Sequence, residues 1–532
     1  MSNLAHFEIK SALSATARWL AAAALAGLLA ACALPPLEGR SESEALPTAE
    51  MRDTPLGSAV GVLAKEHPGL TGIHTLEDPR EAFAARVQMA QHAQRTLDVQ
   101  YYIWRNDTTG HLLLEALHSA ADRGVRVRLL LDDLGHSGLD EELAALDAHP
   151  QVEVRLFNPF LFRPFKPLGF VTDFSRANRR MHNKSFTADN AITVVGGRNV
   201  GDEYFGATDG VLFADLDVLA IGPAVEQISS SFDAYWASAS AYPIASLVTP
   251  PSAEALTAFR DRNALVERSE LAASYKQAVR EMPFYGSLIR KDYSLVWAPA
   301  HLVVDDPSKG LALAEPEQLL LHHMTEAVGV PTRSVDLVSP YFVPTDAGTD
   351  YFVGLALRGV RVRILTNSLA ATDVLAVHSG YARHRQRLLA AGVALYELKP
   401  DPTGPASSAA RKEEGHRMPG SSGSSGTSLH AKTFGVDMER AFVGSFNFDP
   451  RSARLNTELG LIIDSPQLAA AIAQAFDVRV PVSSWKLQLD PESGGLLWID
   501  GAHPPLSIEP MTTWWQRFVV RLLEPLPIDW ML

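Results

Sequence analysis

Hydrophobic and polar positions follow a pattern that the chain states twice. LDVQYYIW (97–104) has the β-branched and aromatic make-up of a buried strand, and VDLVSPYFVP (335–344) matches it. A helix-like apolar stretch follows each (112–121 and 351–357). RGVRVRLLLDD (123–133) then pairs with RGVRVRILTNS (358–368), and VEVRLFNP (152–159) with VALYELKP (393–400). Offsets between the copies drift from 235 to 248 residues, as loop insertions in the second copy would produce. One insertion is legible: residues 401–428 are rich in Gly, Ser and Pro and predict a mobile loop. Strand–helix–strand order in each copy predicts an α/β fold of two similar halves, with mixed sheets flanked by helices. A charged helical connector (about 252–282) joins them, and a pseudo-two-fold axis relates them.

The ends of the chain read differently. Lys10 and Arg18 precede the apolar run LAAAALAGLLAA (20–31), too short to span a bilayer and fitting the core of a signal peptide. The run ends at Cys32, the one cysteine, so no disulfide framework exists. The expected organisation is therefore a signal peptide (1–31), anchor and tether (32–75), first half (76–245), connector (246–290), second half (291–485) and an amphipathic tail (486–532). Composition adds little: 46% hydrophobic and 20% charged residues describe an ordinary globular protein. The net charge of −14 disfavours general attraction to nucleic acid.

Chemistry enters with the last matched pair, MHNKSFTADN (181–190) and LHAKTFGVDM (429–438). Each writes His-x-Lys-x-x-x-x-Asp: His182, Lys184, Asp189 and His430, Lys432, Asp437. Gly196 and Asn199 follow the first, and Gly444 and Asn447 follow the second at the same spacing. One such motif is weak evidence; two inside a repeat are not accidental. On a strand, His and Lys at i and i+2 project from one face. Two lysines and two asparagines converging on one point make a phosphate cradle. Of two flanking histidines, one can attack phosphorus and the other can protonate the leaving oxygen. A carboxylate behind each imidazole would fix its tautomer. Glu458 is the candidate behind His430, and Asp215 the candidate behind His182, with Asp217 as the alternative. Each half carries one motif histidine, so one shared site at the seam is expected rather than two independent ones. No metal constellation is legible; Asp132 and Asp133 read as loop caps near the site, and His136, His378 and His384 as loop or surface residues. No cofactor is expected.

These motifs resemble the signature of the phospholipase D superfamily. Finer stretches (TLDVQYYIW, RGVRVRLLLDD, VGGRN, NSLAATDV) resemble its cardiolipin synthase C branch. The resemblance spans about residues 76–480. It implies metal-independent phosphatidyl transfer through a phosphohistidine, with His182 attacking, His430 acting as acid, and Asp189 and Asp437 supporting structure. Leu29-Ala30-Ala31-Cys32 likewise resembles the lipobox of bacterial lipoproteins, which implies acylation of Cys32 and anchorage facing the periplasm. Ala33, rather than aspartate, points toward the outer membrane.

Residues 155–184 carry seven Lys/Arg against one Asp, interleaved with Phe157, Phe160, Phe162, Phe165, Phe170 and Phe174. That composition suits anionic lipid at a membrane surface, and also single-stranded nucleic acid. The tail places Trp514, Trp515, Phe518, Val519 and Leu522 on one helical face, which suits either an interfacial helix or one docked on the core. The expected function is cardiolipin synthesis by phosphatidyl transfer. Phosphatidylglycerol or phosphatidylethanolamine would be donor, phosphatidylglycerol acceptor and cardiolipin product, with no nucleic-acid partner. Hydrolysis by a phospholipase D and an envelope nuclease or phosphodiesterase are the alternatives.

Overall fold

The computed structural model describes residues 34–38, 40–206, 213–282, 284–290, 292–400 and 428–532. Cys32, the signal-peptide segment and nearly all of the 401–428 insertion lie outside these residues. The first copy of the pattern forms β1 (Thr71–Leu76), β2 (Thr96–Ile103), β3 (Arg126–Gly135), β4 (Val152–Phe157), β5 (Ser185–Ala188), β6 (Ile192–Gly196), β7 (Phe213–Ala214), β8 (Asp217–Ile221) and β9 (Ala241–Pro243). Two strands follow the connector, β10 (Val296–Ala298) and β11 (Ala300–Val304). The second copy forms β12 (Ser334–Val338), β13 (Arg361–Asn367), β14 (Ala394–Leu398), β15 (Ser428–Leu429), β16 (Lys432–Val436), β17 (Arg440–Gly444), β18 (Leu459–Ile463), β19 (Ser484–Leu489) and β20 (Leu496–Ile499).

Two nine-stranded mixed sheets result, ordered β10-β1-β8-β6-β5-β2-β3-β4-β9 and β11-β18-β17-β16-β12-β13-β14-β19-β20. The inner six strands have the same order in both, so the repeat in sequence is a repeat in topology. Within these two sheets only the β2-β3-β4 and β12-β13-β14 triplets are parallel, and each parallel pair needs a crossover. The shared RGVRVR segment ends the first crossover of each triplet and begins β3 and β13. Gly124 and Gly359 take left-handed φ of 92° and 85° just past their helices, Thr108–Asp122 and Thr345–Leu357, and turn the chain into β3 and β13.

The sheets meet through a shared apolar cluster. Ile73, Val195, Val218 and Ala220 of the first half pack with Val443, Leu459, Leu461 and Ile463 of the second.

Several expected boundaries move. Residues assigned to a tether pack instead: Leu56, Val60 and Leu63 of helix Pro55–Glu66 join the first core, and β1 pairs within the first sheet. Segment 40–44 lies along the first half because Arg128 and Arg155, buried by their aromatic neighbours, donate to the carbonyls of Ser43 (2.8 Å) and Ser41 (2.6 Å). β10, expected in the second half, is an edge of the first sheet, and β19 and β20 carry the second sheet into the expected tail. The connector helices pack on helix Pro79–His92, with Tyr275 edge-on to Phe83 at 4.8 Å.

Candidate active site

Each motif histidine is stitched by its backbone to the opposite half. The His182 N–H donates to the Thr457 carbonyl (2.8 Å), and the Thr457 N–H donates to the Arg180 carbonyl (2.9 Å). The His430 N–H donates to the Ala214 carbonyl (2.8 Å), where β15 pairs with β7. The exchange extends to the side chains and corrects the expected pairing. Nδ1 of His182 lies 2.7 Å from Glu458, and Nδ1 of His430 lies 2.5 Å from Asp215. Asp215 and Glu458 occupy equivalent places, just before β8 and β18, and these strands form the packed seam. A carboxylate at that edge faces the other half's motif. Asp217 is not the alternative partner: it is buried in an ion pair with Arg86 (2.8 Å).

The two pairs differ chemically. A Cβ on Gly197 would come within 2.1 Å of Asp215, so this carboxylate lies directly on the backbone there. The matching residue of the second half is Ser445, whose hydroxyl donates to Glu458 (2.5 Å). Burial pushes Glu458 up to about 7, against the pull of Lys184 and the Ser445 hydroxyl. Asp215 is equally buried, but His430, Lys432 and Arg198 outweigh the burial and hold it well below the usual carboxylate range.

Lys184 Nζ donates to the His182 carbonyl (2.5 Å); Lys432 Nζ donates to the His430 carbonyl and lies 3.0 Å from its Nδ1. Burial lowers both ammonium groups, Lys432 to about 8 and Lys184 well below its ordinary value. Burial and the two lysines also lower both imidazoles, and each imidazole feels both ammonium charges. That cross-talk belongs to one cationic site.

The remaining motif residues divide. Asp189 and Asp437 sit at the far ends of β5 and β16, both at left-handed φ (52° and 55°). Asp189 accepts from the backbone N–H groups of Gln94, Arg95 and Thr96, and Asp437 from those of Thr332, Arg333 and Ser334. Their hydrogen bonds therefore hold the loops entering β2 and β12. Asn199 accepts from the Ile103 N–H (3.1 Å) and donates to the Tyr204 hydroxyl (3.0 Å). The Asn447 carboxamide oxygen is buried with no partner among the described residues.

Sequence reasoning missed three tyrosines. Tyr102 stands edge-on to His182 (5.0 Å between ring centres) and Tyr204 edge-on to His430 (5.2 Å), while Tyr341 donates to Asp373 (2.8 Å). Tyr102 and Tyr341 lie inside the two matched segments, 97–104 and 335–344, which the repeat had already marked.

Asp132 accepts from the Met181 N–H (2.7 Å) and fixes the peptide before His182. Asp133, His136 and Asp140 bring ligand atoms within 4.8 Å of one another. They do not suit a cation, because Arg163 (2.5 Å) and Lys166 (3.1 Å) already pair with Asp133. His136, His378 and His384 are buried and hydrogen-bonded rather than at the surface, to Asp133, Glu509 and Thr349 respectively.

The expected basic lip is also corrected. Phe157 and Phe160 are core, Arg155 and Arg180 are buried, and Arg163 and Lys166 are spent on Asp133. Five apolar side chains of the segment face solvent, Phe162, Phe165, Leu168, Val171 and Phe174, beside exposed Thr172, Asp173 and Ser175. The C-terminal helix, Trp514–Leu523, docks through Val520 and turns Trp514 (69% exposed), Trp515, Phe518 and Leu522 (60%) outward. Beyond this helix, Trp530 stands edge-on to Phe174, 6.2 Å between ring centres. No helix among the described residues is long and apolar enough to cross a membrane.

Comparisons with known proteins agree with this architecture. A family model described as "Cardiolipin synthase, PLD-like domain" matches residues 87–236 and again 320–479, one match per half. Cardiolipin synthase C of Escherichia coli K12 is 47% identical over 492 residues, covering 90% of this chain and 99% of that protein. A cardiolipin synthase of Staphylococcus aureus Mu50 is 27% identical, covering 76% of this chain and 67% of that one. Among solved structures, a phosphatidylserine synthase of Haemophilus influenzae superposes with a TM-score of 0.55 at 12% identity, covering 89% of this chain and 100% of that one, which is a likeness of fold.

Proposed function

We infer the function from family and site together: the chain belongs to the phospholipase D-like cardiolipin synthase family, and we propose that it transfers phosphatidyl groups between phospholipids. The donor would be phosphatidylglycerol or phosphatidylethanolamine, the acceptor phosphatidylglycerol and the product cardiolipin. The observation that carries this reading is the crossed pair of histidine–carboxylate contacts, which joins both motifs into one site with two lysines. His182 Nε2 attacks phosphorus in line, the bond to the leaving alcohol breaks, and His430 gives that alcohol its proton. The acceptor hydroxyl then returns a proton to His430, bonds to phosphorus and breaks the P–N bond. Lys184 and Lys432 balance the phosphoryl charge throughout. An ionised Asp215 raises the His430 imidazole against the burial and the lysines that lower it, which suits the histidine that must carry a proton. Glu458 must be ionised for His182 to present a free Nε2. Purified protein given labelled phosphatidylglycerol in vesicles should form cardiolipin, and excess chelator should not change the rate, because lysines rather than a metal hold the charge. Phosphatidic acid as the sole product would favour the hydrolytic alternative.

The titrations set a narrow pH window. Glu458 loses its proton as pH rises through about 7, which frees His182 to attack; Lys432 loses its charge as pH rises through about 8, which weakens the cradle. kcat/KM, which reports the free enzyme, should therefore rise and then fall between these limbs. In Glu458→Gln the acid limb should vanish; its persistence there would assign it to another group.

Membrane contact through the Phe162–Phe174 and Trp514–Trp530 surfaces is proposed because aromatic side chains favour the bilayer interface and Arg163 and Lys166 of the first surface are already paired with Asp133. Replacing Trp514, Trp515 and Phe518 together by serine should lower vesicle binding by roughly ten-fold or more. Added salt should matter little, and a steep salt dependence would contradict this surface. Acylation at Cys32, with anchorage to an envelope membrane facing the periplasm, is proposed from the sequence. Labelled fatty acid entering wild type but not Cys32→Ser separates that anchor from the surface.

A further inference from the structure

A carboxylate near a phosphate-binding site needs a reason, since its charge opposes the substrate's. Asp373 is such a group. It lies on the loop between β13 and helix Leu375–Ala382, and that loop is fastened along the two residues preceding His430. Asn367 donates to the Leu429 carbonyl (3.1 Å) and accepts from the Leu429 N–H (3.0 Å), while Ser428 donates to the Ala371 carbonyl (3.1 Å). The partner of Asp373 is the Tyr341 hydroxyl, 2.8 Å from both carboxylate oxygens. No lysine or arginine among the described residues forms an ion pair with it. Its charge is nevertheless felt by Lys432, and Tyr341 lies near enough to Tyr102 and Tyr204 to feel both. Asp373 and Tyr341 are both half-buried and therefore open to a ligand. Beside them, Val374, Ile528 and Leu532 form an apolar cluster on the side of the exposed C-terminal tail.

One phenol O–H uses only part of what a carboxylate can accept. A group that binds beside it must therefore donate hydrogen bonds and cannot be an anion. We propose that Asp373 and Tyr341 form the acceptor subsite, which binds the hydroxyl groups of a polyol and seats it ahead of water for the second step. The polyol would be the glycerol head group of a phospholipid or free glycerol. The subsite rests on the phosphatidyl-transfer reading above. Asp373 takes no proton in it: the acceptor O–P bond forms, the P–N bond breaks and the proton goes to His430. Asp373 is thus a positioning residue for the acceptor.

The test is the partition between transfer and hydrolysis by the full chain. Labelled phosphatidylethanolamine in vesicles serves as donor. Free glycerol is the acceptor in one arm and phosphatidylglycerol in the other, and phosphatidic acid reports water as acceptor. Asp373→Asn and Asp373→Ala should lower the ratio of transfer product to phosphatidic acid about ten-fold, and Tyr341→Phe a few-fold, as expected for lost hydrogen bonds to a charged group. The acceptor KM should rise more than kcat falls. A fall in both arms supports recognition of the polyol alone, and a fall only with phosphatidylglycerol supports a lipid acceptor. Transfer and hydrolysis falling together at a constant ratio would overturn the subsite and leave the transfer reading intact. A wild-type protein that makes neither product would overturn the transfer reading itself.

Discussion

His182→Ala loses both lipid turnover and turnover of a p-nitrophenyl phosphodiester, whereas His430→Ala keeps part of the latter. The two histidines do different work. Removing the attacking group removes the covalent route for every substrate, a loss on the order of 10⁴-fold or more. Removing the acid costs roughly 10²–10⁴-fold where an alkoxide must leave, but little where p-nitrophenolate departs without a proton. His430→Ala should also accumulate phosphoenzyme, because the acceptor then has no base to take its proton. Label accumulating instead on His430 of the His182→Ala protein would reverse the roles while keeping the shared site.

The crossed carboxylates give the second large effect. Each acts through the imidazole that it touches, so replacing it matters only while that imidazole is present. On the His430→Ala background, with the p-nitrophenyl substrate, Glu458→Gln should cost a further loss on the order of 10²-fold or more, since it disturbs the tautomer of His182. Asp215→Asn on the same background should cost almost nothing, because its histidine is already gone. A pairing that followed chain order would give the opposite result. The comparison therefore reads the exchange between halves in solution, through rates alone.

Chain order explains why the sequence led to the wrong pairs. Glu458 lies 28 residues beyond His430 and Asp215 lies 33 beyond His182, so each carboxylate looks local to its own motif. The faces of β8 and β18 that build the seam belong to different halves, and the packing of one on the other is a tertiary fact with no local signal. The parallel triplets were legible for the contrary reason: β2-β3-β4 and β12-β13-β14 are written as matched apolar runs. Polar composition hid the packing of residues 40–66, which buried arginines of β3 and β4 hold at one end and their own Leu56, Val60 and Leu63 anchor in the core at the other. In residues 155–184 charge misled, since composition counts arginines and cannot see that Asp133 already holds Arg163 and Lys166. The site lysines and histidines were legible because the repeat duplicated them; Asp373 had no duplicate to point at it.

Two motifs acting as one covalent site can form one phosphoenzyme per chain. The most direct measurement is the stoichiometry of phosphoenzyme trapped by rapid quench from a phosphorus-labelled phospholipid, with the labelled residue located by mass spectrometry. A single shared site gives no more than one labelled phosphoryl group per chain, carried by His182 and enriched in His430→Ala. Two groups per chain, one on each histidine, would contradict it in favour of independent sites, and turnover with no trapped group in any variant would contradict covalent catalysis.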